Sequence, residues 1–214
     1  MNDDKINQED IIIRKVSLND NLEEIAELIY ETDPYIYPYW FHNDIEECKR
    51  VLVPLLTEEG FFFNYKSMHI VINKRNNKII GLIQIIDKDT NFNYDYTELM
   101  NISETYKFTI EKYIYELINE VEKFKLPYFS NVVIHHDYRG FKLGTMMMEY
   151  ILKECKNKYT KFILDVLAEN PAAVRLYEKM GFVITENNMG FKNDNEQVEE
   201  YRMELESSKI RVQK

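Results

Sequence analysis

Hydrophobic and polar residues alternate along this chain with two periods, one typical of strands and one typical of helices. Clusters of β-branched and apolar residues between polar turns predict strands at residues 11–16, 69–73, 79–87, 128–134, 162–167, 182–186 and 200–204. Apolar residues spaced three to four positions apart predict helices at residues 19–33, 44–59, 103–124, 142–157 and 171–180. The order of these elements predicts an α/β fold with a mixed sheet.

Two segments depart from this regular layout. Residues 34–41 (PYIYPYWF) are strongly aromatic, begin at the helix-ending Pro34 and predict a loop. Residues 88–127 separate the third and fourth strands and form an insertion that holds the predicted helix 103–124. Together with a flexible leader at residues 1–9, these features predict one domain over residues 10–208.

Composition narrows the classes of function. The chain has 214 residues, of which 45% are hydrophobic, enough for a buried core. Its 27 basic and 37 acidic residues give a net charge of −10, which disfavours a nucleic-acid partner because phosphate contacts need a basic surface. The sequence predicts no secretory signal and no membrane span of ~20 apolar residues. Cys48 and Cys155 lack disulfide and metal-ligand spacing, so we expect reduced thiols, no metal and a cytoplasmic location.

The first chemical signal is the turn that follows the predicted strand 128–134. Residues 132–145 have the sequence VVIHHDYRGFKLGT, in which a glycine-containing turn opens a helix. Such a turn presents unpaired backbone N–H groups and, with the helix dipole, favours a bound phosphate or pyrophosphate. Gly140 and Gly144 would leave room for the phosphates to approach closely. An ordinary strand–turn–helix corner is the alternative, since the P-loop and dinucleotide patterns are absent from this turn.

The second signal is the predicted helix 171–180. Asn170 suits its N-cap, Pro171 its first position and Gly181 the position after its last turn. One face of the helix is apolar and carries Ala173, Leu176, Tyr177 and Met180. By themselves these features indicate a well-capped amphipathic helix.

Together the two segments resemble the GNAT acetyltransferase family. The family's pyrophosphate loop has the pattern Arg/Gln-x-x-Gly-x-Gly/Ala, in which Arg139 and Gly144 match the ends and Lys142 stands in place of the middle glycine. The later family pattern Asn-x-x-Ala-x-x-Leu-Tyr-x-x-x-Gly-Phe is matched by Asn170, Ala173, Leu176, Tyr177, Gly181 and Phe182. The resemblance covers about residues 128–206 and is specific, because both motifs occur in order and at the expected separation.

The resemblance implies a splayed mixed sheet with helices on both faces and acetyl-CoA between strands 128–134 and 162–167. Backbone groups of Val132, Val133 and Ile134 would pair with the pantetheine arm. The implied site continues through the turn and the later helix, with Arg139, Gly140, Phe141, Lys142, Gly144, Thr145, Asn170, Ala173 and Tyr177. The implied activity is transfer of an acetyl group from acetyl-CoA to an amine of a small molecule or peptide.

Acyl transfer to an amine requires a deprotonated amine, a polarised thioester carbonyl and a proton for the leaving thiolate. The chain has no G-x-S-x-G motif and neither cysteine has a neighbouring histidine, which favours direct attack in a ternary complex over a covalent acyl-enzyme. The family pattern places Tyr177 next to the sulfur as the proton donor. The general base stays open: His135 and His136 suit a solvated turn, and the unranked alternatives are a water relay, Asp33, Asp44 and Glu104.

The aromatic segment 34–41 is the candidate wall of the acceptor site, because Tyr35, Tyr37 and Trp40 could form stacking or cation–π contacts with an amine. Packing between the first two helices is an equal alternative for these residues. The insertion 88–127 would cover the acceptor cleft or form a homodimer contact. Two other functions stay open, namely a catalytically silent CoA-binding regulatory module and an interaction domain that binds no CoA.

Overall fold

A single mixed sheet organises the chain. The computed structural model describes residues 7–87, 89–90, 126–193 and 195–210. Within these ranges the strands are β1 Ile11–Lys15, β2 Met68–Asn73, β3 Lys78–Ile86, β4 Tyr128–Ile134, β5 Lys161–Leu167, β6 Val183–Asn193 and β7 Glu196–Glu206. The helices are α1 Leu22–Thr32, α2 Ile36–Trp40, α3 Ile45–Thr57, α4 Leu143–Cys155 and α5 Pro171–Met180. The predicted α/β class is confirmed.

The strands lie in the order β1-β2-β3-β4-β5-β7-β6. Neighbouring strands are antiparallel, except that β4 and β5 run parallel. Among the described residues β4 and β5 share one paired position, Tyr128 opposite Ile163, while β5 pairs with β7 along its whole length. The sheet is therefore continuous at the start of β4 and splayed beyond it.

Alternating side chains of the sheet supply two apolar clusters, one on each face. Leu82 and Ile86 of β3 pack with α1 and α3, whereas Ile83 and Ile85 pack with α4. Because both faces are covered, the central strands are apolar almost without interruption, and β2 is buried at every position.

The capping residues explain where the helices begin. The Asn21 side chain accepts from the amides of Glu23 and Glu24 at the start of α1, and Asp44 does the same for α3. Asn170 accepts from Ala173 at the start of α5, and Gly181 ends that helix with a φ of 100°.

The aromatic segment 34–41 differs from the predicted loop, because residues 36–40 form one helical turn. Asp33 Oδ1 caps this turn by accepting from the amides of Tyr35 at 2.7 Å and Ile36 at 2.8 Å. Pro38 lies early enough in the helix that its missing N–H breaks no intrahelical bond. The last two strands are also longer than the predicted 182–186 and 200–204, since they form a hairpin in which each strand has eleven residues.

Part of the predicted organisation lies outside the residues that the structure describes. The predicted helix 103–124 and most of the insertion lie outside the described residues, as does most of the leader. Among the helices that the structure describes, none is long and apolar enough to cross a membrane.

A left-handed residue precedes α4. Lys142 has a φ of 62° and stands at the N-cap, where its side chain makes no capping bond. A side chain in this region costs about 1–2 kcal/mol, whereas glycine enters it freely. The sequence thus places a lysine where backbone geometry favours glycine.

Lys142→Gly should therefore raise the free energy of unfolding by ~0.5–1 kcal/mol, since relief of the left-handed strain exceeds the entropy that glycine adds to the unfolded chain. Urea denaturation measures the change. Lys153→Gly is the matched control, because Lys153 is exposed inside the same helix. It should lower stability by about 1 kcal/mol. Equal signs for the two variants would contradict the strain argument.

Candidate active site

The splay between β4 and β5 opens a cleft in the sheet. Beyond the Tyr128–Ile163 pair, the edges of the two strands separate. A cavity of about 170 Å³ lies there. It is lined by the α1–α2 junction, β4, the end of β5, α5 and β7, and the residues that matter most for chemistry are Asp33, Asn131, Asp165, Asn170, Tyr177 and Glu200. The fold thus brings the two sequence motifs to the same cleft.

A bulge in β4 shapes the near wall of the cleft. Asn131 and Val132 together stand opposite the single residue Ile83, and Asn131 has a φ of 47°. Asn131 Oδ1 accepts from the Tyr37 hydroxyl at 2.6 Å, and Asn131 Nδ2 donates to Gln84 Oε1 at 2.7 Å. All three side chains are buried. The paired side-chain groups hold a backbone conformation that would otherwise be unfavourable.

Tyr177 forms part of the opposite wall. Its ring packs edge-on against Phe182, with the centroids 5.9 Å apart, and the residue is 5% exposed. Within the described part of the chain its hydroxyl has no hydrogen-bond partner, although it lines the cavity. Burial raises the pKa of Tyr177 above its ordinary value, so the phenol keeps its proton at neutral pH. Tyr177 is therefore a buried donor available to a ligand.

Three carboxylates line the same cavity. Asp33 caps α2 with one oxygen, and burial raises its pKa. Asp165 is held by Arg202, whose Nε and Nη2 donate at 3.0 Å and 3.1 Å, and by the Tyr128 hydroxyl at 3.1 Å. Glu200 completes the group. The cleft is thus locally acidic, with a single arginine engaged in a bidentate pair.

Glu200 differs from the other two carboxylates. Within the described residues its carboxylate accepts no hydrogen bond. The pKa of Glu200 is raised to about 7, chiefly by burial and then by the charges of Asp165 and Asp33, while Arg202 opposes the shift. Sequence reasoning did not find Glu200 or Asp165. Asp165 could have been found as a charge inside an apolar strand, whereas Glu200 lies in a charge-rich segment and gives no such signal.

The predicted aromatic wall is only partly brought to the cavity. Tyr37 and Trp40 line it, and both also belong to the hydrophobic core, at 7% and 3% exposure. Tyr35 is not among the lining residues. Its hydroxyl donates to Glu169, and the Lys192 ammonium lies 5.2 Å from its ring centroid. Contact of these aromatic residues with an acceptor stays a prediction.

The turn after β4 presents backbone donors. The first helical bond of α4 runs from Met146 N to Lys142 O, so the amides of Leu143, Gly144 and Thr145 have no partner inside the helix. Gly140 has a φ of 87° and is exposed, as are Arg139, Phe141 and Lys142. The Arg139 side chain donates from Nε to the Ile134 carbonyl at 2.9 Å, which fixes it to the end of β4.

Gly144 has a packing role that the sequence did not reveal. A Cβ atom at this position would lie 3.3 Å from Leu176 Cδ2 and 3.9 Å from Ile134 Cγ1. The missing side chain thus permits close packing of α4 against α5 and β4. Helix packing is a second reason for a glycine here. Room for phosphates at this position stays a prediction.

Glu31, His135 and His136 lie close enough to hold a metal ion, with one ligand atom from each within 4.8 Å of the others. His136 Nδ1 is 3.1 Å from the Glu31 carboxylate. Lys78 Nζ lies 3.4 Å from His135 Nε2, where its charge would oppose a cation. His135 is buried rather than solvated, and this burial lowers its pKa. The cluster is better suited to fixing the turn to α1.

The other candidate groups lie away from the cavity or outside the described residues. Asp44 is the cap of α3, and Glu104 lies outside the described residues. Cys48 and Cys155 are free thiols, and burial raises the pKa of each, which disfavours the thiolate that a nucleophile needs. Of the candidate bases that lie among the described residues, Asp33 is the one that lines the cavity.

Comparison with solved structures supports the fold. Spermidine N-acetyltransferase from Vibrio cholerae in complex with CoA and spermine has a TM-score of 0.60 at 19% identity, covering 94% of this chain and 98% of that chain. An acetyltransferase of the GNAT family from Streptococcus pneumoniae has a TM-score of 0.55 at 18% identity, with coverage of 92% and 98%. The NatC complex bound to Gag peptide and CoA gives 0.56 at 18%, again with 92% and 98%.

Sequence comparison identifies the family. No curated protein sequence matches the chain. The family model described as "Acetyltransferase (GNAT) family" matches residues 22–182, which is more than half of the chain and includes both motifs and the splayed strands. The chain belongs to the acetyltransferase (GNAT) family.

Proposed function

We propose that this protein transfers the acetyl group of acetyl-CoA to a cationic amine by direct attack in a ternary complex. The observation that carries the proposal is the cavity at the β4–β5 splay, which is lined by the Tyr177 phenol and by the carboxylates of Asp33, Asp165 and Glu200. A proton donor for a thiolate and a binding site for an ammonium group therefore share one cleft.

The cleft suits the proposed position of acetyl-CoA. The pantetheine arm is an extended amide chain, and β4 leaves the edge at Val132–Ile134 without a β5 partner. The free amides at the start of α4 and the helix dipole favour the pyrophosphate. Arg139 and Lys142 add positive charge at the same turn.

The charges of the cleft favour an amine acceptor. Three carboxylates and one engaged arginine leave a local excess of negative charge around the cavity. Tyr37 and Trp40 offer aromatic surface to the same space, where a cation–π contact would add to the attraction. The spermidine N-acetyltransferase from Vibrio cholerae, solved with CoA and spermine, supports a basic acceptor by analogy.

The proposed acetyl transfer uses Tyr177 as the proton donor and needs no covalent acyl-enzyme. The amine attacks the thioester carbonyl carbon, the C–N bond forms and the C–S bond breaks. Tyr177 donates its proton to the departing sulfur and recovers a proton from the attacking nitrogen. Neither cysteine is suited to form an acyl-enzyme, because burial disfavours both thiolates.

A catalytically silent CoA-binding module is the second candidate. It is favoured by Lys142, which takes a left-handed conformation at the position where the family carries glycine. An association of identical chains also stays a prediction, and one solved relative from Vibrio cholerae is described as dodecameric.

Acetyl-CoA should bind, and amines should then release CoA thiol. A diamine should react with a kcat/KM about tenfold or more above that of an ω-amino acid of equal length, since a charge difference of about 1.4 kcal/mol corresponds to tenfold. Calorimetry measures binding, and a thiol-release assay over the amine panel measures turnover. Binding without turnover on any amine would favour the silent module, and a preference for the amino acid would contradict the acidic acceptor site.

Tyr177→Phe should lower kcat by ~10²–10⁴-fold while acetyl-CoA affinity stays nearly unchanged, because only the proton-donating hydroxyl is lost. Single-turnover kinetics and calorimetry check the two parts separately. Tyr150→Phe is the matched control, since Tyr150 lies on α4 and does not line the cavity. A Tyr177→Phe protein that reacts at the wild-type rate in single turnovers would leave protonation of the thiolate to water.

Lys142→Glu should weaken acetyl-CoA binding by about two- to fivefold at low salt and less at high salt, because the exposed charge stands at the proposed pyrophosphate turn. Calorimetry at two ionic strengths measures the effect, with Lys153→Glu in the same helix as the control. Gly144→Val is a poorer test, since its side chain would press on Leu176. An unchanged dissociation constant at low salt would place the phosphates elsewhere.

A further inference from the structure

Glu200 is a half-buried acid that has no partner among the described residues. It lies on β7, opposite Leu167 of β5 and Asn188 of β6, and its side chain turns toward the cavity. Within the described residues it forms neither a hydrogen bond nor an ion pair. Leaving a half-buried carboxylate without a partner is costly, so its presence in a cleft points to a role toward a ligand.

A glycine on the neighbouring strand makes the space that Glu200 occupies. A Cβ atom at Gly190 would lie 2.2 Å from Glu200 Cδ and 2.3 Å from Oε1. Any other residue at position 190 would push the carboxyl group aside. The glycine in the edge strand β6 therefore leaves room for the Glu200 side chain. Gly190 itself is buried within the hairpin.

Each neighbouring charged group has at least one partner of its own. Asp165 on β5 is held by the bidentate pair with Arg202, and Glu186 on β6 approaches that arginine at 3.8 Å. Asp33 uses Oδ1 to cap α2. The two aspartates hold negative charge near Glu200, whereas Arg202 lies on the same strand and is already paired. Glu200 is left as the carboxylate free to exchange a proton.

We propose that Glu200 is the general base that removes the proton from the acceptor ammonium group. The inference rests on the proposed function and adds to it the residue that activates the amine. One proton passes from the ammonium nitrogen to the Glu200 carboxylate, and the neutral amine then attacks the thioester carbon. The second nitrogen proton leaves as the C–N bond forms and replaces the one that Tyr177 gives to the sulfur. Glu200 finally releases its proton to solvent.

The pH dependence follows from the same surroundings. Burial raises the pKa of Glu200 to about 7, from an ordinary value near ~4.3, so its basic form becomes populated as the pH rises through neutrality. Activity should rise with it. The free energy of unfolding should fall as the pH rises from about 4 to 7, because the folded state there binds more protons than the unfolded state.

The test compares Glu200→Gln with the wild type over pH 5–9. Release of the CoA thiol measures kcat/KM for the preferred amine. The variant should lose ~10²–10⁴-fold and lose the rise centred near pH 7, while its dissociation constant for acetyl-CoA stays unchanged. Glu199→Gln is the matched control, since Glu199 is the exposed neighbour on β7, and it should keep the wild-type profile. In urea at pH 8 Glu200→Gln should also be more stable than the wild type, a gain that disappears at pH 4.

Asp33→Asn supplies a second variant that does not depend on the folding of Glu200→Gln. Asparagine keeps the Oδ1 cap of α2 and removes one negative charge near Glu200. The rise in kcat/KM should therefore shift to lower pH. A rise that vanishes in Asp33→Asn would make Asp33 the base and overturn the proposal.

Experiment can distinguish failure of the proposed acetyl transfer from failure of the proposed role of Glu200. A wild-type protein that releases no thiol with any amine would overturn the proposed function and the role of Glu200 with it. A wild-type protein that is active, together with a Glu200→Gln variant that keeps both the rate and the pH profile, would overturn the role of Glu200 alone.

Discussion

The separation of β4 from β5 is the constraint on which the cleft depends. Two parallel strands that pair at Tyr128 and Ile163 would ordinarily continue to pair, because buried backbone groups need partners. The bulge at Asn131 turns β4 away, and the side chains of Tyr37 and Gln84 hold that bulge through hydrogen bonds. Under the proposed function, an extended pantetheine arm supplies the missing strand, so the ligand completes the sheet that the protein leaves open.

Elements with a strong local signal were predictable from the sequence. Residues 171–180 are helical as predicted, because the cap, the first-turn proline and the final glycine all favour the same bounds. The turn at residues 36–40 was missed, because it depends on the side chain of Asp33 and because two prolines favoured a loop. The hairpin of β6 and β7 was underestimated, since an exposed edge strand need not alternate apolar and polar residues.

The candidate site was predictable mainly where its residues belong to a motif, although Asp33, Tyr37 and Trp40 were also named from the sequence and line the cavity. Tyr177 was found because it stands in a pattern that also fixes its helix. Glu200 was not, because its burial depends on the register of β7 against β5 and on a glycine ten positions away, in another strand. The net charge of −10 is only a weak indication of a basic acceptor, whereas the three carboxylates at the cavity provide a local reason to propose one.

Burial in one cleft affects both groups of the proposed proton path, Tyr177 and Glu200. Burial disfavours the charged form of both Tyr177 and Glu200, and therefore raises the pKa of each. For the phenol, this keeps the hydroxyl protonated at neutral pH, so that it can donate to the departing sulfur while the attacking nitrogen supplies a replacement proton. For the carboxylate, it moves the pKa from the acid range to neutrality, where the group can accept a proton from an ammonium and return it to water. Desolvation by one cleft thus keeps the phenol protonated and lets the carboxylate exchange a proton near neutral pH, and the starting pKa of each side chain decides which role it takes.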